Sequence, residues 1–169
     1  MITIRPERPE DVPGIRLVNQ RAFGGPDEAG MVDEARARGG WMISLVAVAD
    51  DQLVGHILFT PVTISASEHV REAAGLAPMA VDPGHQGRGI GTRLASEGLA
   101  RCRAAGYGIA VVLGHPTYYP RFGFVPGSLH GIRFALDVPD EAFMVIELLP
   151  GALEGCSGVA RYLPEFMVL

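Results

Sequence analysis

Apolar and polar positions divide this chain into short, well-punctuated elements. Ile2-Thr3-Ile4-Arg5 alternates as a strand does, and Pro6 stops it. Val12, Ile15, Val18 and Ala22 then recur at helical spacing, with Asp11 placed to cap the helix and Pro13 tolerated in its first turn. Gly24-Gly25-Pro26 ends that helix. Residues 27–38 start acidic and run helical until Gly39-Gly40. Stretches 44–49 and 53–64 read as two strands of a hairpin turning at Asp50-Asp51, with the polar stretch 65–74 as a loop or strand extension. A second apolar run ends at Val81-Asp82-Pro83, and glycines crowd the next positions. A helix over 89–105 follows at once, with Ile90, Leu94, Leu99 and Cys102 on its apolar stripe and Gly106 as its stop. Residues 108–113 are continuously apolar, as in a strand buried on both faces. Strand, helix and strand in one span make a βαβ unit, which predicts parallel strands. A short helix over 117–122 and a closing antiparallel pair, 131–136 with 143–148, complete the predicted elements. The tail, 150–169, shows no assignable pattern, and the chain has no repeat, low-complexity tract or linker.

Composition narrows the class. A length of 169 residues suits a single domain, 1–169, with room for a sizeable core, and 48% hydrophobic against 20% charged residues excludes disorder. No apolar run reaches the ~18 residues of a membrane span, and the first residues lack the shape of a signal peptide. Two cysteines, Cys102 and Cys156, do not make a disulfide framework, so a cytoplasmic setting is expected. A net charge of −5 argues against a nucleic-acid surface. No metal-ligand cluster stands out.

The candidate chemistry lies at the glycine-rich turn. Glycine lets the backbone adopt positive φ and admits a ligand close to the main chain. The first turn of the following helix offers unpaired N–H groups and a positive dipole end, which suit a phosphate. Two familiar patterns fail here. A P-loop would need Lys and Ser/Thr where Ile90 and Gly91 stand. The dinucleotide fingerprint fails because Gly87-Arg88-Gly89-Ile90-Gly91 brings its third glycine one residue early, and no acidic residue follows about 20 positions on.

What remains, Gln86-x-x-Gly89-x-Gly91, resembles the acetyl-CoA-binding motif of the GNAT superfamily of N-acetyltransferases. Downstream, Tyr118-Tyr119-Pro120-Arg121-Phe122-Gly123-Phe124 is similar to the tyrosine-to-Gly-Phe segment after the fifth strand of that family. Together with Gly114-His115-Pro116 and the Ala142-Phe143-Met144 stretch, the likeness is greatest to its bacterial YhbS-type branch. The resemblance spans about residues 1–148. It implies an α/β fold with a mixed, mostly antiparallel sheet of six to seven strands, helices on both faces, and parallel strands 4 and 5 that splay apart.

The resemblance also implies roles. Gln86, Gly87, Arg88, Gly89, Gly91 and Thr92 would hold the CoA pyrophosphate, mainly through backbone N–H groups. Met79 and Val81 match the strand positions whose main chain pairs with the pantetheine arm, and the Met79 N–H would polarise the thioester carbonyl. Tyr119, four residues before Gly123, would protonate the departing thiolate, with Tyr118 as the alternative one residue away. The strand glutamate that serves some members as general base is replaced by Gly75. His115 is the first substitute; His56, more often a satisfied core histidine, and Glu72 follow. The expected activity is acetyl transfer from acetyl-CoA to a small-molecule or peptide primary amine, by direct attack in a ternary complex. A non-catalytic acyl-CoA-binding module and a longer acyl donor stay open, as does a homodimer. Residues 23–41, with Asp27, Glu28, Asp33 and Glu34, are expected either to wall the acceptor site or to form a solvated face.

Overall fold

The computed structural model describes residues 1–167, so of the unassigned tail only Val168 and Leu169 lie outside the described residues. The elements are β1 (Ile2–Pro6), α1 (Val12–Phe23), α2 (Asp27–Arg38), β2 (Ile43–Ala49), β3 (Gln52–Ser65), β4 (Val70–Val81), α3 (Ile90–Ala104), β5 (Ile109–Leu113), β6 (Val125–Pro126), β7 (Ile132–Phe134), β8 (Phe143–Glu147) and β9 (Gly158–Arg161). Hydrogen bonding joins the strands in the order β1-β2-β3-β4-β5-β8-β6, with β9 pairing both β3 and β7. That is a mixed sheet in which β4 and β5 run parallel, as the βαβ pattern predicts. Its nine strands among the described residues, against six to seven expected, include the two-residue β6 and the three-residue β7. Another, β9, comes from the tail. Among the described residues no helix is long and apolar enough to cross a membrane.

The chain divides into two compact units, Met1–Phe59 with Ala77–Ala100, and Thr60–Leu76 with Arg101–Leu169. In the first, β1, β2 and the start of β3 form an antiparallel meander. The β2–β3 hairpin closes through Asp50 and Asp51, both at positive φ (49° and 63°), the left-handed pair that a two-residue turn between twisted strands requires. Ile15 and Val18 of α1, Val32 of α2, Leu45 of β2, Phe59 of β3 and Leu94 of α3 are buried in this unit. A glycine inside α3 costs about 1 kcal/mol relative to alanine, yet Gly98 stands there because a Cβ would run into the buried Phe59 ring, lying 2.9 Å from its Cζ. Asp11 does not cap α1 as expected. It closes a preceding 3-10 turn in helical φ/ψ, accepts the Arg8 N–H at 2.7 Å and clasps the Arg5 guanidinium at 2.7 and 3.0 Å.

In the second unit α3 ends as predicted at Gly106 (φ +95°). Tyr107 N–H donates to Cys102 O and Gly106 N–H to Arg103 O, both at 3.0 Å, the double bond of a Schellman stop. β5 pairs with β4 over Ala74–Leu76 and with β8 along its whole length. The expected pairing of 131–136 with 143–148 is not what forms. β8 pairs antiparallel with β5 and β6, whereas β7 pairs in parallel with β9. Three residues of alternation show that a strand exists without showing which edge it joins, and the partner lay in the unassigned tail.

Candidate functional site

The glycine turn belongs to the first unit, and Asp82 anchors it. Its backbone N–H donates to Val54 O (2.8 Å), its carbonyl accepts from His85 N–H (2.8 Å) and its carboxylate accepts from Gly84 N–H (2.9 Å). Arg21 of α1 pairs with the same carboxylate at 2.9 Å. With its base fixed, the chain runs through Gln86, Gly87, Arg88 and Gly89, all exposed, before Ile90 turns inward. Gly87 and Gly89 sit at φ +77° and +78°, where a side chain would meet open space but the backbone would be strained. Among the described residues, the N–H groups of Gln86, Gly87, Arg88 and Gly89 have no protein acceptor. The first helical bond is Arg93 N–H to Gly89 O at 3.1 Å, so the Ile90 and Gly91 N–H groups precede the ladder as well. This is a row of main-chain donors at the positive end of a helix of 15 residues, suited to an anionic group.

The other predicted residues of this turn are placed close by. Gly91 and Thr92 begin α3, half-buried. Met79 and Val81, also half-buried, end β4. The Gln86 side chain folds back to donate to Val81 O at 3.1 Å, so it braces the turn against the strand. Asp82, Arg21 and this bracing role were not read from the sequence. Asp82-Pro83-Gly84 did signal a turn, but nothing local points to Arg21.

In the second unit, Tyr119 opens a 3-10 turn, Tyr119–Phe122, that ends at Gly123 with φ +104°. The ring packs edge-on against Tyr118 (5.1 Å) and Phe124 (5.8 Å), and it occupies the space that a Cβ on Gly114 would need. Among the described residues its hydroxyl has no hydrogen-bond partner. Burial, reinforced by Tyr118, pushes this phenol up to about 12. Tyr118, by contrast, is stacked beneath Arg121 at 4.0 Å. His115 is exposed, and its carbonyl accepts the Tyr118 and Tyr119 N–H groups at 3.1 and 3.4 Å.

The remaining base candidates have other partners. Glu72 accepts from the Tyr107 hydroxyl at 2.9 Å. His56 is fully buried between Asn19 and Ser44. The Asn19 amide donates to Ile15 O (2.9 Å) and to His56 Nδ1 (3.1 Å), which leaves Nε2–H to donate to Ser44 Oγ at 2.9 Å. A serine nucleophile needs the opposite tautomer, with Nε2 free to take its proton. Burial, with the Arg36 charge second, pulls this imidazole down to about 3. His56 is therefore a neutral core histidine. Of the acidic residues of α2, Asp33 is paired with Arg16 and Arg36 at 2.9 and 3.4 Å. The space beside Gly75 is filled by Val62 Cγ2 and by the Tyr162 ring, the latter 2.8 Å from where a Cβ would be, so no longer side chain fits there.

A model of the acetyltransferase (GNAT) domain matches residues 3–127. The uncharacterized N-acetyltransferase YhbS of Escherichia coli is 36% identical over 164 residues, covering 96% of this chain and 97% of that protein. E. coli YjhQ, also an uncharacterized N-acetyltransferase, is 42% identical over 120 residues, which is 69% of this chain. The crystal structure of E. coli YhbS in complex with CoA matches with a TM-score of 0.91 over 98% of this chain and 91% of that one. A GNAT acetyltransferase from Brucella melitensis in complex with acetyl-CoA matches with a TM-score of 0.80 at 36% identity, over 98% of each chain. With its mixed sheet, its glycine turn and these likenesses together, the chain belongs to the GNAT acetyltransferase family.

Proposed function

We propose that this chain is an acetyl-CoA-dependent N-acetyltransferase, carrying an acetyl group to a primary amine by direct attack in a ternary complex. The observation that carries the reading is the row of unpartnered N–H groups from Gln86 to Gly91 at the start of α3. Such a row fits a diphosphate, and the complexes of the relatives with CoA and acetyl-CoA support that choice of anion. Acetyl-CoA would supply an activated thioester. Met79 N–H would donate to the thioester oxygen as negative charge develops there, a contribution worth about 10²–10³ in rate. The amine nitrogen forms its bond to the carbonyl carbon as the carbon–sulfur bond breaks. The Tyr119 hydroxyl gives its proton to the leaving sulfur, and the amine proton passes to His115 or to water. A phenol raised by burial stays protonated at neutral pH and so stands as a proton donor while the carbon–sulfur bond breaks.

The space at Gly75, filled by Val62 and the Tyr162 ring, favours a second reading, an acyl-CoA-binding module without turnover, because no carboxylate can stand there as base. Titration calorimetry with acetyl-CoA, followed by CoA release against a panel of amines, separates the two. Binding with turnover of at least one amine supports the enzyme. Binding without turnover of any supports the module, and absence of binding at millimolar cosubstrate contradicts both.

A further inference from the structure

Asp82 brings a negative charge to a place suited to anions. Its side chain is nearly enclosed, 11% exposed, and one carboxylate oxygen, Oδ1, accepts the Gly84 N–H at 2.9 Å. The row of free amides starts at Gln86, two residues on, and two residues of chain span at most about 7 Å. That is inside the ~10 Å over which a charge is still felt at 0.1 M salt, and enclosure of the carboxylate weakens the screening further. Unopposed, it would repel the diphosphate that the row is suited to hold. The turn itself does not need the charge. An asparagine oxygen would accept the Gly84 N–H as well, since Asn and Asp make the same side-chain turn.

Arg21, in the last turn of α1, meets this charge. Its Nη1 lies 2.9 Å from Oδ2, the carboxylate oxygen that Gly84 leaves free. His85 also faces the carboxylate, but its Nδ1 stands 3.7 Å from Oδ1 and makes no hydrogen bond among the described residues. The Arg21 side chain is 56% exposed, and an ion pair with so open a partner adds little to stability. Its larger effect falls on whatever anion approaches the amides. We propose that Arg21 is a positioning residue for the cosubstrate, a counter-charge that cancels Asp82 beside the amide row and so lets a diphosphate settle there. The inference rests on the acetyltransferase reading. A simple brace between α1 and the turn predicts that losing either partner weakens binding alike. A counter-charge predicts opposite signs for the two.

The test is a double-mutant cycle of Arg21→Gln, Asp82→Asn and both together, with the Kd for acetyl-CoA measured by titration calorimetry at about 20 mM and about 500 mM salt. At low salt Arg21→Gln should weaken the Kd about five- to tenfold, while Asp82→Asn binds at least as tightly as the unaltered chain. The double variant should return to within about twofold of the original, and the Arg21→Gln loss should fall below about twofold at high salt. An unchanged Kd in Arg21→Gln, or a loss that persists at high salt, overturns the counter-charge. So does a matching loss in Asp82→Asn, which marks a brace, or a double variant as weak as Arg21→Gln, which marks direct contact of Arg21 with the ligand. Should Asp82→Asn not fold, Asp82→Ser keeps an oxygen for the Gly84 N–H and takes its place in the cycle. If the unaltered chain binds no acetyl-CoA, the acetyltransferase reading fails, and the same cycle read with inorganic pyrophosphate by amide NMR shifts still decides. Opposite signs there uphold the counter-charge; like signs, or no binding, overturn it.

Discussion

Burial raises the Tyr119 phenol to about 12, so it stays protonated through neutral pH, the form the proposed acid role requires. Replacing it by phenylalanine should lower kcat by about 10²–10⁴, the usual worth of a positioned acid, with little change in the Kd for acetyl-CoA. Steady-state kinetics with calorimetry checks both, and a kcat within threefold of the original would remove Tyr119 from the reaction. The pH profile adds a second constraint: kcat should show no alkaline fall attributable to this group below about pH 10. The turn that carries Tyr119 was legible in the sequence because its spacing to Gly123 is local. The need for Gly75 was not, since Val62 and the Tyr162 ring, the latter 87 positions away along the chain, meet it only in the folded chain.

At the scale of elements, α1, β2 and β3 are tied together by Asn19, Ser44 and His56. His56 is held near 3 in the folded protein against about 6.5 when unfolded, so protonation favours the unfolded chain. Its contribution is complete above about pH 6.5 and is lost as pH falls toward 3, at up to about 1.4 kcal/mol per pH unit. Urea unfolding at pH 6.5 and 4.5 should show the original protein losing about 2 kcal/mol more than His56→Gln. Equal losses would mean that His56 is not buried neutral. The helix α3 offers a contest of two effects at Gly98. Helix propensity alone predicts that Gly98→Ala gains about 1 kcal/mol, whereas crowding against the buried Phe59 ring predicts a loss of about 1–3 kcal/mol. The ring is fully enclosed and cannot yield, so a net loss in denaturant midpoint is expected, and a gain would contradict the close approach. Elements with strong local signals, such as the hairpin at Asp50-Asp51 and the Schellman stop at Gly106, were readable in advance. The partner of β7 was not, because pairing is decided by which edge is open in space.

For the whole molecule, the order of elements and the parallel β4–α3–β5 unit followed from periodicity, and the glycine turn followed from what glycine does to a backbone. The bracing of that turn by Asp82, Arg21 and the Gln86 side chain depends on contacts across the first unit, beyond the reach of any local pattern. A cosubstrate that binds the folded chain alone should also raise its stability, by about 2.7 kcal/mol at a hundred times the Kd. The most direct measurement is an amide-resolved NMR titration of the intact protein with acetyl-CoA. Saturable shifts centred on the Gln86, Gly87, Arg88, Gly89 and Gly91 amides, reproduced by CoA without the acetyl group, are the result expected if these free N–H groups hold the diphosphate. Binding that leaves those amides unmoved, or no binding at all, would contradict it.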